Sequence, residues 1–203
     1  MERRVGALGA HEGDEGADPV LSRPRVVVHT RATTEFAVLS WLLCAADDRE
    51  AARREWESEK MTLLRCGALF SAVRISGELV RAAAGMGQEA CRGDASRIDA
   101  FLATALQDGP VVVDSYAARY YALVPASTCR WWHVPETECL GPGAYLGVPR
   151  PGLDDPHCVR SYWSVPMESP GSLCSPSMVR ALVLNAKALA AVQRRELEAG
   201  CEL

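Results

Sequence analysis

The sequence has almost no lysine and no apolar stretch long enough to cross a membrane. Two of its 22 basic residues are lysine, and the formal net charge is −4. Nonspecific binding to duplex DNA needs many basic side chains that neutralise phosphates, so this charge balance argues against a protein that coats DNA. The longest apolar run, Phe36 to Ala46, is interrupted by Ser40 and is too short for the ~30 Å core of a bilayer. We therefore predict a buried helix there and no membrane partner.

Cysteine pairs typical of metal or redox motifs are also missing. The eight cysteines include no C-x-x-C pair. The acidic, glycine-rich residues after Arg4 do not resemble a secretion signal. We therefore expect a cytoplasmic protein. Because thiols stay reduced in the cytoplasm, we expect its cysteines to be reduced and most of them to be small apolar core residues.

Carboxylates with the spacing of a metal-dependent transferase are absent as well. Such enzymes often carry D-x-D or D-x-E on one strand, so that both acids face the same Mg²⁺. No apolar strand here has that pattern, and Asp114 at the end of PVVVD is better explained as a turn residue. The loop PGLDDPHC places Asp154, Asp155 and His157 together, but its prolines indicate a surface loop. These four residues are weak metal candidates only.

No other chemical site is evident. Cys129, His133 and Cys139 are separated by three and five residues, which fits no common zinc motif. A cysteine nucleophile would need a partnering histidine, and no local signature selects a pair. The GPG at 141–143 precedes a predicted strand, so it indicates a turn and not a phosphate-binding loop. We predict no catalytic residue and no cofactor.

The chain is predicted to form one domain with two tails. Residues 1–24 are rich in charge and glycine and have little apolar content, which predicts a disordered tail. Residues 25–195 form the domain, and residues 196–203 a frayed end. Predicted helices cover 33–45, 47–60, 78–84, 96–107 and 176–194. Predicted strands cover 25–30, 61–66, 69–75, 110–113, 119–124, 144–148 and 161–165.

The order of these elements predicts an α+β fold, with a mostly antiparallel sheet, helices covering one face and a long C-terminal helix. Asp47 with Glu50, and Ser96 with Asp99, have the spacing of capping boxes. The two strands on either side of Gly67 are close enough to form a hairpin or one bent strand.

One stretch, RYYALVPASTCRWWHVP from Arg119 to Pro135, contains four aromatic rings and two arginines. In a strand, Tyr120 and Tyr121 must point to opposite faces, and the same holds for Trp131 and Trp132 if the chain remains extended. One ring of each pair is therefore predicted to be buried, and its neighbour to be available for binding. The residues we predict for nucleic-acid or partner binding are Arg74, Arg119, Tyr120, Arg130 and Trp131.

The order of four blocks resembles small actinobacterial proteins related to the bifunctional DNA primase/polymerase domain. The first block is REW followed by LLRCGALFSAVRI, and the others are DGPVVVDSYAARYYALVP, LGPGAYLGVPRPG and YWSVPMESPGSL; the resemblance covers residues 54–183. It implies metal-binding acids on the strand that here reads LFSAVRIS, where Arg74 replaces a carboxylate. A guanidinium offers only donors and cannot bind Mg²⁺. We expect Arg74 to pair with a nearby acid in preference to a phosphate.

Three functions are compatible with these residues. We rank first a non-enzymatic interaction or regulatory protein that binds a partner protein or a second copy of itself. The alternative is an accessory module for single-stranded nucleic acid, since aromatic rings beside arginines suit base stacking. Four arginines and four acids between Ser115 and Val165 cancel in charge, which favours protein over nucleic acid. The third is a metal-dependent nucleotidyltransferase that combines distant acids, such as Asp114 with Asp154 or Asp155.

Overall fold

The computed structural model describes residues 31–87, 93–156 and 160–200 of the chain. The helices in these ranges are α1 (Arg31–Leu42), α2 (Arg49–Ser58), α3 (Gly77–Ala83), α4 (Asp94–Ala105) and α5 (Pro176–Gly200). The strands are β1 (Met61–Arg65), β2 (Phe70–Ser76), β3 (Val111–Asp114), β4 (Arg119–Pro125), β5 (Glu138–Leu140), β6 (Tyr145–Pro149) and β7 (Ser161–Val165). The predicted tail at 1–24, the predicted strand at 25–30 and His157 lie outside the described residues.

These strands form two antiparallel sheets, so the predicted α+β fold is confirmed. The large sheet has the order β5-β2-β4-β3-β7, and β1 pairs with β6 in a separate two-stranded sheet. Residues of β2 and β4 face each other directly, for example Val73 with Ala122 and Arg74 with Tyr121. Because side chains alternate along a strand, each such pair shares one face of the sheet.

Helices α3, α4 and α5 cover one face of the large sheet. Val73 and Ala122 point into this core, where Val80 of α3, Leu102 of α4 and Val183 of α5 pack around them. All five side chains are almost fully buried. This layer fixes the position of α5, the longest helix.

The opposite face is covered by α1, α2 and the two-stranded sheet. Ala72 and Leu123 of the large sheet pack there with Leu42, Trp56 and Leu146. The indole nitrogen of Trp56 donates a hydrogen bond of 2.9 Å to the carbonyl oxygen of Val148, which ties α2 to β6. The prediction that helices cover only one face is therefore wrong. Consecutive β4 residues from Ala122 to Val124 are apolar and fully buried, which requires a cover on both sides.

The predicted hairpin or single bent strand around Gly67 is also wrong, because the two strands belong to different sheets. β1 belongs to the small sheet and β2 to the large one, and the chain passes between them at Gly67. Gly67 has a φ of +87°, and its N–H donates to the carbonyl oxygen of Phe70 at 2.7 Å. A Cβ atom at this position would lie 2.4 Å from the backbone nitrogen of Pro142. Only glycine fits this conformation without displacing the neighbouring backbone.

Two predicted helix caps are displaced, one of them by one residue and the other by three. The carboxylate of Asp48, not Asp47, accepts hydrogen bonds from the N–H groups at the start of α2. Helix α4 begins at Asp94, so Ser96 lies inside the first turn and does not cap it. Asp94 pairs with Arg81 of α3 at 2.9 Å, and this tertiary contact lies at the helix start.

Three further features differ from the sequence prediction. The edge strand β5 was not predicted, since ECL is too short to show a period of two. A 3₁₀ helix, Ala126–Arg130, ends the extended chain before the two tryptophans. Helix α5 continues to Gly200, beyond the predicted domain end at 195. No helix in the described ranges is long and apolar enough to cross a membrane.

Candidate interaction surfaces

One end of the large sheet has a polar, partly exposed border. We name it the open end of the sheet and define it by the residues that share the face covered by α1 and α2 and lie beyond its apolar core. Strand register places these residues in two adjacent rows. The first row is Glu138, Arg74 and Tyr121. The second row is Ser76, Arg119, Asp114 and Ser161.

Each of the two rows at the open end of the sheet places one acid opposite one arginine on the neighbouring strand, Glu138 opposite Arg74 and Asp114 opposite Arg119. A guanidinium nitrogen of Arg74 lies 2.6 Å from a carboxylate oxygen of Glu138, as expected for an arginine that pairs with a nearby acid. Asp114 accepts hydrogen bonds from the N–H groups of Tyr116 and Ala117 at 3.1 and 3.2 Å. This contact agrees with the prediction that Asp114 is a turn residue. Both acids therefore have protein partners.

Two more side chains extend the open end of the sheet towards solvent. Tyr116, in the turn after β3, is 83% exposed, and the guanidinium carbon of Arg160 lies 5.2 Å from its ring centroid. Arg160 also lies 3.7 Å from Asp114, while Arg119 is exposed beside it. The open end of the sheet thus combines three arginines (Arg74, Arg119 and Arg160) with an exposed aromatic ring. Proteins use this combination to stack on nucleic-acid bases without sequence preference.

The aromatic pairs divide between core and surface. Tyr120 is only 8% exposed and packs beneath the helices, so its predicted role as a binding residue is wrong. Tyr121, on the other face, is half-buried. Trp132 is buried and its indole nitrogen donates to Thr137 at 2.9 Å, whereas Trp131 is 51% exposed. Arg130, at the end of the 3₁₀ helix, is also exposed.

Asp114 and Asp154, two of the weak metal candidates, lie at different places in the fold. Asp114 lies at the open end of the sheet, whereas Asp154 lines a cavity of about 480 Å³ between α1 and the turn after β6. Arg31 crosses this cavity and pairs with Glu35 at 2.9 Å and Asp154 at 3.0 Å. Asp155 makes a further interaction of its own. Among the described residues, no group of three histidine, cysteine or acidic side chains could hold a metal ion.

The thiols of the described core are poor nucleophiles. Burial raises the pKa of Cys66 to about 11 and that of Cys139 to about 12. Burial also raises the pKa of Cys174 to about 12. Because the thiolate is the reactive form, these cysteines are uncharged and inert at neutral pH.

A partly buried polar cluster that sequence reasoning missed joins α4 to β7. Asp99 accepts hydrogen bonds from the hydroxyl groups of Ser164 and Tyr162, so it does not cap α4. Burial raises the pKa of Asp99 to about 6, although both hydrogen bonds lower it. Ser164 and Tyr162 are buried, so the cluster orients the helix on the sheet and offers little access to a ligand. In the sequence, Asp99 was noticed only for its spacing of three residues from Ser96.

Comparisons with models of protein families, with curated proteins and with solved structures find no match to this chain. What the protein does must therefore be inferred from its own residues.

The outer face of α5 is a second surface that sequence reasoning missed. The core side of the helix carries Val179, Leu182, Val183 and Ala186. The opposite side is exposed, with Leu184 at 46% and Val192 at 50%. We define the outer face of α5 by its apolar members Ala181, Leu184, Ala188, Ala191 and Val192, all of them exposed.

Charge is absent from the outer face of α5. Between Arg180 and Arg194 the sequence contains one charged residue, Lys187. Lys187 pairs with Glu136 of its own domain at 3.0 Å. A helix that is apolar on all sides is normally covered on all sides. The low charge of this segment is the signal from which the sequence could have revealed the surface.

Proposed function

We propose that this protein is a non-catalytic interaction or regulatory protein, and that the outer face of α5 is its main contact surface for a protein partner. The observation that carries the proposal is the charge-free apolar face over three turns of a helix whose other side is already packed. Exposed contiguous apolar surface of this kind marks contact sites in folded proteins. Charged residues are characteristically depleted at the centre of protein interfaces.

The surroundings of α5 support the same proposal. Trp132 and Val134 belong to the core cluster that holds α5, and Glu136 is bound to Lys187 of the helix. The segment that carries the exposed Trp131 is therefore held at the side of α5. Tryptophan is enriched among the residues that dominate binding energy at interfaces.

The acids and thiols supply the reason to prefer an interaction role over catalysis. Asp114 and Glu138 are engaged with backbone N–H groups and with Arg74, and the raised thiol pKa values disfavour nucleophilic cysteine. The resemblance to primase/polymerase proteins remains part of the proposal, as an origin of the fold. The ion pair of Arg74 supports loss of the metal site that catalytic members are expected to have.

Photocrosslinking from a single position tests the interaction role. The photoreactive residue p-benzoylphenylalanine replaces Leu184 in one variant and Leu63 in a matched control. Leu63 is also exposed, but it lies on β1 and not on α5. Cells that express each variant are irradiated, and covalent products are identified by mass spectrometry. We expect one defined protein product from position 184 and none from position 63. Equal, diffuse labelling from both positions contradicts the proposal.

A second candidate function is binding of single-stranded nucleic acid at the open end of the sheet. The specific observation in its favour is the exposed Tyr116 ring beneath Arg160, with Arg119 nearby. Fluorescence anisotropy with a labelled oligonucleotide, titrated with salt, measures it. Arg119→Glu should weaken binding at least tenfold. Arg53→Glu, at an exposed position on α2, should leave binding unchanged. No binding by the unmodified protein at low salt eliminates this function.

A further inference from the structure

The cavity beside α1 lies on the face of the large sheet opposite α5. We name it the α1 cavity and define it as the space of about 480 Å³ bounded by α1, the turn after β6 and the segment after β7. Val38, Trp163 and Met167 line it, and all three are buried members of the core under α1 and α2. The cavity therefore has an apolar floor that core packing holds in place. This size and this kind of floor are typical of sites for small molecules.

The rim of the α1 cavity has an excess of negative charge. Its carboxylates are those of Glu35 on α1, Asp154 after β6 and Glu168 after β7, and its guanidinium is that of Arg31. The three acids come from separate segments, so the fold itself brings them to one opening. No second basic residue is among the described residues that line the cavity. This charge balance favours a cation as the ligand and disfavours an anion.

One cation is already held at the rim. Nε of Arg31 lies 2.9 Å from a carboxylate oxygen of Glu35, and Nη2 of the same side chain lies 3.0 Å from Asp154. The two carboxylates are thus placed so that one guanidinium group binds both. The side chain of Arg31 is 72% exposed, and exposed ion pairs contribute little to stability. A dissolved cation therefore replaces Arg31 at small cost to the fold.

The spacing of the acids disfavours a metal ion. Among the described residues, no three acidic, histidine or cysteine side chains are grouped so that they could hold one. The carboxylates at the rim are therefore too widely spaced for a single small ion. Glu168 has no ion-pair partner among the described residues. An extended cation with two charged ends matches this arrangement.

We propose that the α1 cavity binds a small organic dication, an alkyl chain with a guanidinium or ammonium group at each end. One end replaces Arg31 between Glu35 and Asp154. The other end pairs with Glu168. The methylene groups between the two ends lie over the apolar floor at Met167, where they are removed from water. Neither the cavity nor this ligand depends on the role proposed for α5.

Titration of the isotope-labelled full chain with agmatine, followed by NMR, tests the proposal. Agmatine carries a guanidinium, as Arg31 does, and an ammonium at the other end of a short methylene chain. We expect the indole N–H signal of Trp163 to shift in a saturable manner, with a dissociation constant on the order of 100 µM in low-salt buffer. The signal of Trp131, which is exposed and does not line the cavity, should not move. No saturable shift of the Trp163 signal overturns the proposal.

A matched probe tests the need for two positive ends. In 4-guanidinobutyrate the guanidinium is kept, but the other end of the chain is a carboxylate. It should bind at least tenfold more weakly than agmatine, because its carboxylate meets Glu168. Equal affinity for the two probes overturns the assignment of a dication.

Substitutions at the rim test the two ends of the site. Glu168→Gln should weaken agmatine binding at least threefold, whereas Glu57→Gln, at an exposed position on α2, should leave it unchanged. Equal weakening by both would mean that agmatine responds only to the net charge of the protein, which overturns the proposal. Arg31→Ala should strengthen binding at least threefold, since it frees both carboxylates for the ligand. Weaker binding by Arg31→Ala overturns the replacement of Arg31, and circular dichroism verifies the fold of each variant.

Discussion

Lys187 joins the middle of α5 to Glu136, with the ammonium nitrogen 3.0 Å from a carboxylate oxygen. This contact draws the one charged residue between Arg180 and Arg194 towards the domain itself. The outer face of the helix is left without charge, although it is exposed to solvent. The ion pair thus keeps the single charge of this segment away from the exposed apolar side of the helix.

Two alanines on α5 test the assignment of its faces. Ala186 is fully buried, so Ala186→Glu forces a carboxylate into the core and should destabilise the fold by more than about 3 kcal/mol. Ala188 is exposed, so Ala188→Glu should change stability by less than about 0.5 kcal/mol. Urea unfolding at a concentration well below that of any dimer measures both. Equal losses would show that the two faces are not distinguished in this way.

Much of the fold was predictable because its helices and strands have local signals. The strands at 119–125 and 161–165 are bounded by turn residues, and the predicted ranges agree with the observed ones within one residue. The pairing of Arg74 with an acid also followed from chemistry alone, because an arginine on a sheet cannot bind a metal ion. These features depend on residues close in sequence or on the properties of one side chain.

The remaining features depend on contacts between distant residues. The strands flanking Gly67 enter different sheets because each pairs with a strand far along the chain, β6 or β4. Tyr120 was predicted as a binding residue because a single strand cannot show which of its faces is covered. The outer face of α5 could not be distinguished from the packed face by the hydrophobic pattern alone, because apolar residues occur on both sides of the helix.

Trp56 is predicted to hold the two-stranded sheet to α2. Its ring is almost fully buried and its nitrogen donates to the carbonyl oxygen of Val148. Trp56→Phe loses that hydrogen bond and part of the ring volume, which should cost about 2 kcal/mol. Thermal unfolding measures the loss, with the exposed Trp131→Phe as the control. A change no larger than that of the control contradicts the assigned role.

Alanine substitutions at Gly67 and Gly85 distinguish the cost of a left-handed backbone from the cost of steric overlap. Both have a positive φ, but a Cβ atom would meet Pro142 at Gly67 and nothing within 4 Å at Gly85. Gly85→Ala should cost about 1 kcal/mol from the left-handed conformation alone. Gly67→Ala should cost at least about 2 kcal/mol more, because the loop at Pro142 must move. Denaturant titration of the two variants gives the difference directly, and equal values would rule out the overlap.

Asp99 should make stability fall as the pH rises through about 6. Burial raises the pKa of its carboxyl from 3.8 to about 6 in the folded chain, so folding favours the protonated form. The resulting stabilisation is complete below about pH 4 and is lost as the folded carboxyl ionises near pH 6. Ser164 and Tyr162 donate hydrogen bonds to it. Burial, together with the nearby Asp99 charge, raises the pKa of Tyr120 to about 12.

Asp99→Asn isolates this effect because the amide keeps an oxygen that accepts the same two hydrogen bonds but carries no charge. The variant should gain stability relative to the wild-type chain between pH 4 and pH 7.5, by about 1 kcal/mol, since solvent screens a partly buried carboxylate. Other carboxylates, such as Asp48, whose pKa is lowered by the N–H groups of Ala51 and Glu50, titrate equally in both proteins and cancel in the difference. Urea unfolding across this pH range measures the gain. A difference in stability that does not change with pH would mean that Asp99 is ionised throughout and that its burial has no electrostatic cost.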